Sequence, residues 1–179
     1  MSITKCPVPV LQDEWEFTQL LKIYNDRKPE NVLEIGSFYG GTLWHWLQND
    51  NLKKIYGIDL EIYPKDPRFE HLCECRKLWG GWLNIDKLTF IKGNSHDDYI
   101  AKRNYVNIDW LYIDGGHRYL DVKQDFDNFS PLVPEGGAII LHDIIGIRGV
   151  NKFWKRIKNN YNYIEIYSPG GWGVGVIFK

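Results

Sequence analysis

Short apolar runs alternate with amphipathic stretches along the chain. Runs of this kind, bounded by glycine, proline or polar residues, are typical of buried strands. Five of them predict strands at residues 31–35, 54–59, 88–91, 108–113 and 138–141. Helical spacing predicts helices at residues 13–24, with Asp13 as the cap, and at 42–49, 122–129 and 150–161. Two final runs, 163–167 and 174–178, flank a Ser-Pro-Gly-Gly turn and predict a hairpin.

The alternation of strands and helices predicts an α/β fold. We expect a Rossmann-like, doubly wound and mostly parallel sheet, with helices on both faces and the antiparallel C-terminal hairpin at one edge. A length of 179 residues argues for a single domain, 1–179. Its parts would be an N-terminal helical segment at 1–30, a ligand-binding core at 31–145, and the last helix and edge hairpin at 146–179.

The composition excludes several classes of protein. Apolar residues make up 44% and charged residues 25%, which excludes a mostly disordered chain. Lys and Arg number 22 against 23 Asp and Glu, so we expect no nucleic-acid partner. No run approaches the ~20 apolar residues of a membrane span, and the N-terminus lacks the apolar stretch of a secretion signal. Three cysteines without C-x-x-C spacing favour a reduced, cytoplasmic location.

Residues that could bind a nucleoside follow the first two predicted strands. In doubly wound sheets, ligands bind beyond the carboxyl ends of the strands. The loop at 34–41 contains glycines that let the backbone turn sharply and approach a ligand. A dinucleotide-binding loop has glycine where this loop has Phe38, so a nucleoside without a pyrophosphate is favoured over NAD. Asp59 ends the second strand, and its carboxylate can accept hydrogen bonds from both ribose hydroxyls.

A second polar group follows the fourth and fifth predicted strands. Asp114, His142 and Asp143 are potential ligands of one divalent metal, since carboxylates suit Mg or Mn and an imidazole favours softer metals. A hydrogen-bonded Asp–His pair without a metal is an equal alternative. His117 is the candidate general base, because a pKa near neutral suits removal of a hydroxyl proton. The histidines that we expect to be structural are His45, His71 and His96.

Several segments between residues 31 and 145 together form a recognisable pattern. They are 32–42, 57–59, 109–119, 121–125, 131–137 and 141–143, of which Asp-Trp-Leu-Tyr-Ile-Asp-Gly-Gly-His-Arg-Tyr at 109–119 is the most specific. With these segments the chain resembles the class I S-adenosylmethionine-dependent methyltransferases. More narrowly, it is similar to the small family of antibiotic-sugar O-methyltransferases and cephalosporin-hydroxylase-like proteins.

The resemblance implies a cofactor, an activity and roles for particular residues. The activity would be O-methylation of a small hydroxylated acceptor, such as a sugar or a secondary metabolite, with Asp114 and His117 in catalysis. Many relatives have Asp where this chain has Asn94, and acidic or amide oxygens where it has His142. The residues expected to contact S-adenosylmethionine are Glu34, Gly36, Ser37, Phe38, Tyr39, Gly40, Asp59, Asn94, Ser95 and Asp114.

Alternatives to this function stay open at the level of sequence. They are a cephalosporin-hydroxylase-like enzyme, an NAD-dependent oxidoreductase, and a non-catalytic nucleoside-binding protein of the same fold. We expect a small-molecule acceptor as partner, and the edge hairpin could support a homodimer.

Eight tryptophans are unusually many for so short a chain. Three of them lie in apolar stripes or a strand and are predicted to be core residues: Trp15, Trp110 and Trp154. Three lie in glycine-rich connections, where their rings could form the wall of an acceptor pocket that suits a sugar or a flat ring: Trp79, Trp82 and Trp172.

Overall fold

A computed structural model of the chain describes residues 5–60 and 66–179. In chain order, strands β1 to β7 are Asn31–Ile35, Lys54–Asp59, Leu88–Lys92, Trp110–Ile113, Ala138–His142, Asn162–Ile166 and Val174–Phe178. Helices α1 to α6 are Glu14–Arg27, Gly41–Trp46, Phe69–Leu78, Asp98–Ala101, Tyr119–Phe129 and Arg148–Ile157.

The strands form one sheet in the order β3-β2-β1-β4-β5-β7-β6. The first five strands are parallel, whereas β7 runs antiparallel to both β5 and β6. Strand order reverses between β1 and β4, and at such a switch point the loops after the two strands diverge and leave a crevice. The predicted fold is confirmed, including the hairpin at one edge, and β4 and β5 are neighbours in the sheet.

The core lies on both faces of the sheet. Alternate residues of each strand point to opposite faces, so Val32 and Trp110 join one cluster while Leu33 and Leu111 join the other. Helices α1, α2 and α3 contribute to the first cluster, and α4, α5 and α6 to the second. This two-sided burial explains why the central strands are almost continuously apolar.

Helix α1 begins where it was predicted to begin, but its tryptophan faces solvent instead of the core. The Asp13 side chain accepts a hydrogen bond from the Glu16 backbone N–H at 3.0 Å, so it is the N-cap. Trp15 was expected in the core, and that expectation is wrong, because its side chain is 53% exposed. The buried face of α1 includes Phe17 and Leu20. Trp15 comes two positions before Phe17 and therefore lies about 200° away around the helix, on the exposed side. Trp110 and Trp154 are buried as predicted.

Two helices were not predicted. In α3 only Leu72 and Cys75 are buried, and α4 is a single turn, so neither gives a clear periodic signal. Across the described ranges, no helix combines the length and the apolar character needed to cross a bilayer. The cytoplasmic location and the proposed division into three parts stay predictions.

Candidate functional site

A cavity of about 710 Å³ opens at the carboxyl ends of the central strands. It lies at the switch point between β1 and β4, where this fold class binds ligands. Among the residues proposed from sequence, those that line the cavity are Gly36, Ser37, Phe38, Tyr39, Asp59, Asn94, Ser95, Asp114, His117, His142 and Asp143. Glu34, in β1, and Gly40, at the end of the loop after β1, are not lining residues.

The loop after β1 needs glycine at two positions. Gly36 has φ +89°, and a Cβ there would overlap the backbone oxygen of Asp114. Gly40 has φ +91°, and a Cβ there would collide with the ring of Trp79. These residues let the loop pass close to the loop after β4 and to the turn after α3, because glycine has no side chain and is not strained at positive φ.

Glu34 is a fully buried carboxyl behind this loop. The indole N–H of Trp46 donates to its Oε2 at 2.6 Å, whereas its Oε1 has no hydrogen-bond partner among the described residues. Burial raises the pKa of Glu34 to about 8. An ionised carboxylate is costly to bury, so Glu34 would ionise more readily when a cationic group is bound nearby.

Two acidic and two imidazole side chains meet at the ends of β4 and β5. His117 Nε2 lies 2.8 Å from Asp143 Oδ2 and 3.6 Å from Asp114 Oδ1. His142 Nδ1 lies 2.9 Å from Asp143 Oδ1 and 3.4 Å from Asp114 Oδ1. The His117 side chain is 46% exposed and that of His142 only 6%. We call these four residues the Asp–His cluster.

The carboxylates control the protonation of both imidazoles. Hydrogen bonding with Asp114 and Asp143 raises the pKa of His117 to about 10. Burial would lower the pKa of His142, but the same two carboxylates outweigh it and raise the pKa to about 10. Burial favours neutral Asp143, yet its contacts with the two imidazoles lower its pKa overall. In this arrangement His117 therefore carries its proton at neutral pH, and it can act as a base only when these contacts loosen.

The cluster also has the composition of a metal site. One ligand atom from each of Asp114, His117 and Asp143 lies within 4.8 Å of the other two. His142, which the sequence placed in the ligand set, contacts the same carboxylates from the buried side. Oxygen and imidazole ligands together suit Mn, Fe or Zn better than Mg alone.

The far end of the cavity contains a hydrogen-bonded network that the sequence did not indicate. Ser95 Oγ donates to Oδ1 of the fully buried Asp125 at 2.5 Å, and His96 Nε2 lies 3.2 Å from the same oxygen. Asn94 Oδ1 accepts the backbone N–H of His96 at 3.1 Å, so its side chain shapes the turn. His96 was expected to be a structural residue, but it lines the cavity.

The N-terminal segment and the hairpin loop close the end of the cavity near the Asp–His cluster. Gln12 Nε2 donates to Asp114 Oδ2 at 2.9 Å, a contact that no sequence pattern indicates. The fully buried Glu16 accepts the backbone N–H groups of Ser168 at 2.9 Å and of Gly173 at 3.0 Å. These bonds fix the loop that carries Trp172, which lines the cavity.

Only one of the three tryptophans expected to line a pocket does so within the described residues. Trp172 is a lining residue and is 47% exposed. Trp79 and Trp82 were expected beside it, and that expectation is wrong. Their rings lie 5.4 Å apart in the core, and Trp79 packs edge-on against Phe90. The 3₁₀ turn after α3 directs both rings inward, where burial of their large apolar surface is favourable.

Comparison with known proteins places this site in a family. Residues 33–144 match the family described as "Methyltransferase domain". A curated relative, uncharacterized protein R132 of Acanthamoeba polyphaga mimivirus, is 32% identical over 126 residues, which is 62% of this chain and 50% of the relative. The chain thus spans about half the length of this curated relative.

Solved structures share the fold at low sequence identity. The O-methyltransferase TomG from Streptomyces achromogenes, solved with SAM, is 14% identical with a TM-score of 0.69 over 93% of this chain and 81% of that one. SAH-bound PaMTH1 from Podospora anserina is 17% identical, with a TM-score of 0.67 over 94% and 79%. An O-methyltransferase from Bacillus cereus in complex with SAH is 17% identical, with a TM-score of 0.62 over 96% and 83%.

Proposed function

The chain belongs to the methyltransferase domain family, and we propose that it transfers a methyl group from S-adenosylmethionine to an oxygen of a small hydroxylated acceptor. One observation carries the proposal: a single cavity at the switch point of the sheet joins Asp59 to the Asp–His cluster. A nucleoside site and a site for proton transfer therefore face the same space, as transfer between two bound molecules requires.

The cofactor would lie along the β1 loop. Asp59 is suited to the ribose hydroxyls, and Ser95 and Asn94 border the space that remains for adenine. Glu34 supplies the negative charge toward which the cationic methionine end would be drawn. The carboxyl lies behind the loop and does not line the cavity, so it would favour the cation through its charge at short range, and a bound cation would in turn favour its ionised form.

A divalent metal fits the Asp–His cluster. We propose that Asp114, Asp143 and the buried His142 would hold the ion, with Mn as the first candidate and Mg as the alternative. The more exposed His117, although its ring nitrogen also lies within 4.8 Å of the carboxylate oxygens, would remain free for proton transfer. When bound, such an ion would lower the pKa of an acceptor hydroxyl.

The acceptor would bind between the cluster and Trp172. Methyl transfer would form a bond between the acceptor oxygen and the methyl carbon and break the S–C bond of S-adenosylmethionine, which would release S-adenosylhomocysteine. For His117 to accept the hydroxyl proton, Nε2 would first release its own proton to solvent as its contacts with the carboxylates loosen, and the hydroxyl proton would then go to the neutral Nε2. The ring of Trp172 offers a flat apolar surface, which favours a sugar or an aromatic ring as the acceptor.

The cofactor part of the proposal is tested by calorimetry. The wild-type protein should bind S-adenosylmethionine and S-adenosylhomocysteine, and NAD should not bind. Asp59→Ala should weaken binding at least tenfold, because the ribose loses a charged hydrogen-bond acceptor. Asp50→Ala, at an exposed position, is the matched control and should bind as the wild type does. Absence of binding by the wild type would refute the proposal.

The roles of the two histidines are separated by metal analysis and rate. Release of S-adenosylhomocysteine would be measured over a panel of glycosides and catechols with added Mn or Mg. His142→Ala should lose the metal, whereas His117→Ala should keep it and lose about a hundredfold in rate. Loss of the metal from His117→Ala would instead make His117 a ligand and contradict its assignment as the base.

A further inference from the structure

Arg76, on α3, connects the proposed ribose carboxylate to the loop after β1. Its Nη2 lies 3.2 Å from Asp59 Oδ1, and its Nε donates to the backbone oxygen of Phe38 at 3.2 Å. The carboxylate and the guanidinium are both largely buried, with side-chain exposures of 9% and 16%. An ion pair in such surroundings is screened much less than one at the surface.

Phe38 is held from both sides by this ion pair. Its backbone N–H donates to Asp59 Oδ2 at 2.6 Å, while its carbonyl accepts from Arg76. Phe38 has φ +41°, a left-handed conformation that is strained for a bulky residue. Such strain, on the order of 1–3 kcal/mol, persists only where surrounding contacts enforce it. The two hydrogen bonds are contacts of this kind.

The guanidinium is itself fixed in place. It lies 4.8 Å from the ring centroid of Phe90 and 5.5 Å from that of Trp79. These rings belong to β3 and to the turn after α3, so their positions are set by the core. Cation–π contacts of this type favour arginine, whose planar group stacks while its N–H groups stay free to donate.

Each oxygen of the Asp59 carboxylate has one contact of this kind and can still accept from a ligand. Oδ2 accepts the Phe38 N–H and Oδ1 faces the guanidinium, so each retains a lone pair. We propose that Arg76 is a positioning residue that orients the carboxylate of Asp59 toward a ribose hydroxyl and keeps the loop after β1 in its binding conformation. This inference rests on the proposed function, because it assigns a role in binding the same cofactor.

A ribose-modified ligand distinguishes positioning from general support of the fold. The dissociation constants of S-adenosylhomocysteine and of its 2′-deoxy and 3′-deoxy analogues would be measured for wild type and Arg76→Met. In the wild type, loss of the hydroxyl that Asp59 binds should weaken binding about tenfold or more, as expected for a hydrogen bond to a charged group. In Arg76→Met, S-adenosylhomocysteine should bind about tenfold more weakly, and its advantage over that analogue should fall below about threefold.

Two further variants separate the outcomes. Lys77→Met removes a positive charge from an exposed position of α3 and should behave as the wild type does. Arg76→Lys keeps a charge beside Asp59 but not the planar fork, so it should recover part of the discrimination between ligands. It also provides a second measurement if Arg76→Met does not fold.

The possible failures are distinguishable. If the wild type does not bind S-adenosylhomocysteine, the proposed function fails. If it binds, but the ratio between S-adenosylhomocysteine and each analogue is unchanged in both Arg76 variants, the positioning role is refuted while the proposed function stands. A parallel loss of affinity for all ligands would likewise refute positioning, because it indicates that Arg76 only stabilises the fold.

Discussion

Replacing Glu34 with glutamine should stabilise the ligand-free protein while weakening its cofactor binding. The carboxyl is fully buried, and burial raises its pKa from 4.5 to about 8. For an acid with a raised pKa, the folded state holds the proton more tightly than the unfolded state. Its contribution to stability is therefore greatest below pH 4.5 and is lost as the pH rises toward 8.

The size of the effect follows from the two pKa values. At about 1.4 kcal/mol per pH unit, the free energy of unfolding falls by about 5 kcal/mol between pH 4.5 and pH 8. About 3 kcal/mol of this is already lost at pH 7. Glutamine cannot ionise and can still accept the N–H of Trp46, so the Glu34→Gln variant should lack this loss.

Urea unfolding of wild type and variant from pH 5 to pH 9 measures the difference directly. The gap in unfolding free energy should widen in favour of Glu34→Gln as the pH rises, and it should level off above pH 8. Glu135→Gln, at an exposed turn, should instead parallel the wild type. A gap between wild type and Glu34→Gln that is independent of pH would refute the reasoning.

The same carboxyl couples cofactor binding to a proton. If the charge of Glu34 attracts the cationic group of the cofactor, binding favours the ionised form, and affinity should fall by up to about tenfold for each pH unit below 8. Calorimetry in buffers of different ionisation enthalpy should then detect proton release on binding at pH 7. Equal heats in all buffers would contradict this role.

Three further predictions concern the loops and the Asp–His cluster. Gly36→Ala should lower the free energy of unfolding by about 3 kcal/mol or more and abolish S-adenosylhomocysteine binding, because the added Cβ would overlap the backbone of Asp114 and φ is positive there. A urea midpoint close to that of the wild type would contradict this. Gly146→Ala should displace the ring of Trp172, since the added Cβ would overlap that ring. The KM for the acceptor should then rise severalfold while the affinity for the cofactor stays the same. An unchanged KM would mean that the acceptor binds elsewhere. His117 and His142 have pKa values of about 10 in the folded protein against an ordinary 6.5. Their contribution to the stability of the fold is therefore complete below pH 6.5 and is lost as the pH rises through 10. Free energies of unfolding that do not change between about pH 7 and pH 10.5 would contradict the ion pairs.

The sequence predicted the sheet well because its strands carry a local signal. Each buried strand is a short apolar run, and β1 and β2 have the predicted bounds. Residues directly after the strands were found by the same reasoning, since chain order places them at one edge of a parallel sheet. The convergence of His117, Asp114 and Asp143 follows from that edge.

What the sequence missed depends on contacts between distant segments. Arg76 and Asp125 belong to helices whose charged residues look like ordinary solvated positions, and their partners become apparent only when the helices are packed. The prediction for Trp79 and Trp82 failed because the flanking glycines indicated an exposed loop, whereas a tight turn buries both rings. Local composition does not determine which way such a turn faces.

The bonds from Glu16 to the loop that carries Trp172 have a consequence for folding. Glu16 and Ser168 are 152 positions apart, whereas β1 and β2 pair through a much shorter connection. The entropic cost of closing a loop rises with its length, and contacts between distant segments are slow to form. We therefore expect the parallel sheet to assemble first and the wall beside Trp172 to form late, so a folding intermediate would acquire its nucleoside pocket before its acceptor pocket.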